Sequence, residues 1–146
     1  MKLARYFWLP FFAASLAACT TDTGPSAGEV ALPVGAAPIN VEQASQQFFR
    51  DNPGAKAAAL LNAKGKGFEF YENGGAVFVS FRAISNLRIG TEVASMQDSE
   101  ICLKEQDGWS GACMDIYALP DGGYFLEGTY GNGYTFAEAV TLAPIF

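Results

Sequence analysis

Hydrophobic and polar residues alternate along this chain in three different ways. Tyr6 to Leu16 (YFWLPFFAASL) is a largely apolar run of 11 residues behind Lys2 and Arg5. That is too short to span a bilayer as a helix, which needs about 20 apolar residues. It suits the hydrophobic core of a secretory signal. Residues 20–39 (TTDTGPSAGEVALPVGAAPI) are mostly Gly, Ala, Pro, Ser and Thr with little periodicity, so they read as a flexible tether. At Asn40 the spacing turns helical. Asn40 can cap a helix with Gln43 three residues on, and Val41, Ala44 and Phe48 share one face. Asn52-Pro53 reads as a second helix start, and Ala55 to Ala63 (AKAAALLNA) has high helix propensity up to Gly65 and Gly67.

From Phe68 the period becomes two. Asn73-Gly74 predicts a type I′ hairpin that sets Phe70 opposite Val77 and Phe68 opposite Val79, with Phe81 on the same core face. Phe78 and Tyr71 then fall on the other face, where Tyr117, Tyr124, Tyr130, Tyr134 and Trp109 extend an aromatic surface. Further strands are expected at Leu87–Ser95, Glu100–Glu105, Gly111–Leu119, Tyr124–Tyr130 and Tyr134–Leu142. An odd-length loop near Ile84 to Asn86 would bring Ile89 and Val93 opposite Phe81 and Val77. Centring a turn on Asp107-Gly108 places Cys102 directly opposite Cys113. Ile101, Leu103, Ala112, Met114 and Ile116 then face the core. The expected fold is mainly β: an antiparallel meander of about seven strands, forming a small barrel or strongly curved sheet, preceded by one or two short helices. Residues 40–146 make up that domain.

Leu16-Ala17-Ala18-Cys19, directly behind the apolar run, resembles the lipobox of bacterial lipoproteins. The resemblance implies cleavage before Cys19, diacylglyceryl transfer to its thiol and acylation of the new amine. Residues 1–18 are then the signal peptide and 19–39 the tether. Thr20 stands where an inner-membrane retention signal would place aspartate, which implies the periplasmic face of the outer membrane. Two or more acyl chains make such anchoring persistent.

Composition sharpens the reading. Loss of Lys2 and Arg5 with the signal takes the formal charge from −6 to −8. So acidic a chain is a poor partner for nucleic acid or anionic headgroups. There is no histidine, which removes the commonest general base and metal ligand. No catalytic residue, cofactor or metal is therefore assigned. Ser110 has no histidine to activate it. Asp98, Glu100, Asp107, Asp115 and Asp121 crowd one stretch but match no calcium-loop pattern. Of three cysteines, if Cys19 takes the lipid that the lipobox resemblance implies, Cys102 and Cys113 remain for a disulfide, as an exported chain favours.

Gly90-Thr91-Glu92-Val93, Cys102-Leu103, Gly111-Ala112-Cys113, Tyr117 and Asp121-Gly122 together resemble a pattern in small exported bacterial β-meander proteins, which implies the fold and no activity. Ser110-Gly111-Ala112 resembles the cleft-inserting loop of membrane-bound lysozyme inhibitors, although Cys113 and Met114 stand where that family has basic and aromatic residues. The primary expectation is a non-catalytic envelope lipoprotein with a structural role or an envelope protein partner. The alternatives are inhibition of a lysozyme-type hydrolase, or binding of a small apolar or glycan ligand.

Overall fold

The computed structural model describes residues 30–82, 84–105, 111–129 and 135–146. A two-residue strand β1 (Ala37–Pro38) leads into helix α1 (Val41–Asp51). Eight strands follow: β2 (Ala57–Leu61), β3 (Gly67–Tyr71), β4 (Ala76–Arg82), β5 (Leu87–Gln97), β6 (Glu100–Leu103), β7 (Cys113–Ala118), β8 (Tyr124–Thr129) and β9 (Thr135–Ile145). Each pairs antiparallel with its sequence neighbours, and β9 returns to pair with β2 from Ala57↔Ile145 to Leu61↔Thr141. The result is a closed eight-stranded meander barrel. Closure leaves the barrel strands no free sheet edge where they overlap. Strand β1 lies on β7 beyond the end of β6, through Ala37↔Ala118 and Pro38↔Tyr117. The end of the stretch read as tether thus joins the sheet.

Among the described residues the barrel has eight strands where the sequence pattern predicts about seven, and one helix where it predicts one or two. Ala57–Leu61 is β2 and not a second helix. Its alanines are buried: Ala58 and Leu60 face the core, while Ala57 and Ala59 lie on the outer side beside Tyr71 and Glu69. Ladders to β3 and β9 satisfy its backbone, and that tertiary pairing overrides alanine's helical preference. Pro53 begins no helix, because Asn52 closes α1 and Gly54 (φ 88°) turns the chain.

The β3–β4 register is shifted by one residue from the Asn-Gly expectation. Phe68 faces Phe78, and Phe70 faces Ala76. Phe78 is therefore core (2 % exposed), and Phe81 lies on the outer face, 39 % exposed. The turn is the cause. Glu72, Asn73 and Gly74 form a three-residue loop closed by the Tyr71 N–H on the Gly75 carbonyl, and only Gly74 takes a positive φ (85°). That is a turn with a glycine bulge, not a type I′ pair. In the next hairpin four residues, 83–86, separate Arg82 from Leu87. Phe81 and Val77 therefore face Arg88 and Glu92 in place of Ile89 and Val93.

The core is filled by Phe68, Phe70, Phe78, Ile101, Met114, Ile116, Leu126, Phe136 and Val140. Eight strands leave an interior that side chains can fill. Helix α1 plugs one end, which we call the lower end. Asn40 caps it by accepting the Gln43 N–H (2.9 Å), and the Val41 N–H reaches the Asp98 carbonyl (2.8 Å). Val41, Ala44 and Phe48 face the barrel, on the face their spacing marked.

Candidate functional site

The β6–β7 hairpin is the best-anchored feature that the sequence singled out. Cys102 and Cys113 are directly opposite and bridged by a disulfide, with Cα atoms 4.0 Å apart. Ile101, Leu103, Ala112, Met114 and Ile116 all face the core, Leu103 at 8 % exposure. The cysteines thus sit on the outer face. Asp107, Gly108, Trp109 and Ser110 lie outside the described residues, as do Cys19, the lipobox, Tyr130 and Tyr134.

A row of carboxylates crosses the outer face beside this bridge. Glu100 faces Asp115, and Asp115 faces Glu127 on β8. The Ser99 hydroxyl donates to Asp115 (2.8 Å). The Tyr117 phenol is held above its ordinary range, first by burial and then by Asp115 and Glu127. Asp98 and Asp121 do not join the row. Asp98 sits in the β5–β6 turn, and Asp121 accepts the Gly123 N–H in the β7–β8 turn. Glu127 escaped the sequence reading, although the Asp121-Gly122 hairpin carries the parity that finds it. Glu100, Cys102 and Cys113 converge within 4.8 Å of one another. Both sulfurs belong to the disulfide, so neither is a thiolate ligand.

The expected outer aromatic surface is partly redistributed. Phe78 points inward, and Tyr124 lines the space under α1. Tyr71 remains outside, where its hydroxyl donates to Glu69 (3.2 Å), and Glu69 also receives Arg88.

A second polar group closes the core at the upper end, around the β2–β3 turn. The Asn62 amide donates to Glu138, and the Lys66 ammonium lies 4.7 Å from the Phe136 ring centre and 5.9 Å from that of Phe78. Burial pushes the Lys66 pKa below its ordinary value, Glu138 opposes this, and Lys64 adds to it. This cluster was hidden in the sequence because residues 55–63 looked helical, which obscured the shared parity of Leu60, Asn62, Lys66 and Phe68. Chemically it seats a cation on two aromatic faces above a filled core.

Beneath α1 lies a cavity of about 30 Å³ lined by Ile39, Val41, Phe48, Leu60, Phe70 and Tyr124 among others. It has room for one or two waters and not for an acyl chain or a sugar. In the Ser110-Gly111-Ala112 stretch, Ala112 is buried and its carbonyl accepts the Leu103 N–H (2.8 Å), so its side chain belongs to the core.

No protein-family model, curated protein or solved structure matches the chain. The resemblances drawn from the sequence rest on the quoted residues alone.

Proposed function

We propose that this chain is a membrane-anchored envelope lipoprotein whose barrel acts without catalysis, through structural or protein contacts at the periplasmic face of the outer membrane. The observation that carries this is Leu16-Ala17-Ala18-Cys19 behind a basic, then apolar, leader. The Cys102–Cys113 bridge supports it, since disulfides persist in oxidising compartments. The packed interior supports a role played by the barrel's outside surface. Metabolic labelling with a radioactive fatty acid tests the anchor. The wild-type chain should take up label and fractionate with outer membrane, and Cys19→Ala should do neither. Membrane-bound Cys19→Ala protein of mature size would sink the reading.

A further inference from the structure

The upper end of the barrel carries an arm that the core does not need. Residues 80–82 of β4 pair with 87–89 of β5. Strand β3 stops at Gly67↔Val79 and β6 at Val93↔Leu103, so among the described residues this end of the hairpin is two-stranded. Its apolar side chains are exposed: Ile84 98 %, Leu87 58 % and Phe81 39 %. A monomeric soluble domain rarely displays such a group without a use for it.

Two features identify the use. First, the apolar residues lie on both faces. Phe81 is paired across the hairpin with Arg88, and Leu87 with Arg82, so each face offers one large apolar side chain and one arginine, with Ile84 at the tip. A groove on a protein partner reads one face of a hairpin. An interface that surrounds the tip reads both. Second, the arm and the 63–66 loop beside it carry basic residues and no carboxylate. Strand direction puts Lys64, Lys66, Arg82, Arg88 and Lys104 at the upper end, five of the seven basic residues left after the leader. Glu42, Asp51, Glu72, Asp98, Glu100 and Asp121 gather at the lower end. Among the described residues, the carboxylates level with Glu92 and Glu138 or above are Glu69, paired with Arg88, Glu92, paired with Lys104, Glu138, which accepts from Asn62, and Glu105 and Glu127; residues 80–89 themselves carry Arg82 and Arg88 and no carboxylate. Among the described residues Arg82 and Lys64 enter no ion pair. The net charge of −8 argued against anionic surfaces. Screening over about 10 Å means that a contacting surface feels the arm and its neighbouring loop and not the sum.

We infer that the β4–β5 arm inserts into an anionic phospholipid surface. Phe81, Ile84 and Leu87 enter the boundary between headgroups and acyl chains, and Arg82 and Lys64 pair with phosphates. Arginine and lysine stems can lie along the apolar contact while their charged heads stay at phosphate level. The chain enters the domain at the opposite end, where β1 meets β7 beside the β7–β8 turn. The arm is therefore a contact separate from any N-terminal anchor, and its argument does not rest on that anchor.

The test places a reporter on the arm in the full chain. Trp8 and Trp109 become Phe, and Ile84→Trp supplies the one indole. The chain is reconstituted in phosphatidylcholine vesicles with or without phosphatidylglycerol, so an N-terminal anchor acts equally in both. The expected result is a blue-shifted emission, quenched by lipids brominated near the headgroup end, that is stronger with phosphatidylglycerol. Lys64→Gln and Arg82→Gln should each weaken that preference about fivefold. Water-like, unquenched emission in both vesicles would overturn the proposal. So would equal quenching in both, or a blue shift that grows with protein concentration without vesicles, which would mark docking to a second copy. Amide hydrogen exchange at 80–89 in the unsubstituted chain gives the independent readout: protection should be greater with phosphatidylglycerol than without it, and equal or absent protection counts against insertion.

Discussion

Gly67 shows how much of this barrel hangs on one missing side chain. Its φ is 150°, and a Cβ built there would lie 2.1 Å from the Leu60 carbonyl oxygen and 3.1 Å from the Leu61 Cα. Both obstacles are backbone of the paired strand, so neither can swing aside. Gly67→Ala should cost about 2 to 4 kcal/mol, measured by urea unfolding. Gly74, with φ 85° and nothing within 4 Å of the same imagined atom, gives the contrast. Its alanine variant meets only the left-handed backbone penalty, about 1 to 2 kcal/mol. Equal losses at both sites would mean that the β2–β3 contact is looser than described. Tyr117 makes a pH prediction. Its folded pKa lies above the ordinary 10.0, because burial and then Asp115 and Glu127 disfavour the phenolate. The folded chain thus holds that proton longer than the unfolded chain. The associated stability is complete below pH 10 and is lost as pH rises through the folded value. Tyr117→Phe should therefore flatten the alkaline fall in stability, and an unchanged slope would remove Tyr117 as a contributor.

Hairpins set the registers, and three of them share one design. The loops 63–65, 72–74 and 120–122 each have three residues and end in a glycine with positive φ: Gly65, Gly74 and Gly122. In the last two, Asn73 or Asp121 accepts the N–H of the following Gly75 or Gly123 at 2.9 Å. Asn73→Ala and Asp121→Ala should each cost about 0.5 to 1.5 kcal/mol in thermal or urea unfolding. Asn73-Gly74 misleads because the dipeptide serves a two-residue turn equally well. The choice depends on whether residue 73 takes a positive φ, and only the pairing of the whole strands decides that. The Cys102–Cys113 register was legible because two cysteines and a parity pattern constrain the same hairpin independently. Helix α1 was legible for a similar reason, through a cap and a stripe that agree. The alanines of β2 carry no period that separates strand from helix, so the Lys66 cluster built on β2 and β3 was hidden with them. Breaking the bridge with Cys102→Ser and Cys113→Ser together should lower stability by about 2 to 3 kcal/mol, in keeping with a loop of sequence separation 11. An unchanged unfolding midpoint would show that the hairpin holds without it.

Closure by β9 is what makes the meander one molecule. Strand β8 ends its pairing with β9 at Tyr124↔Val140, and residues 141–145 of β9 then pair with β2 alone. Pro144 is tolerated in that stretch because one side of the strand has no neighbour there. Removing residues 141–146 would strip one side of β2 along its whole length, exposing its backbone donors and acceptors and the buried Ala57 to Leu60 edge. It would also remove Leu142 from the packing under α1, so the lower plug loses a wall as well. Phe146 lies beyond the ladder and is exposed, so its deletion alone should change stability by less than about 0.5 kcal/mol. Deleting 141–146 should abolish cooperative unfolding and produce self-association through the opened β2 edge. Light scattering and urea melts of the two truncations separate the cases. A monomeric 1–140 chain with the full-length midpoint would show that α1 and the β3–β8 meander hold the fold without closure.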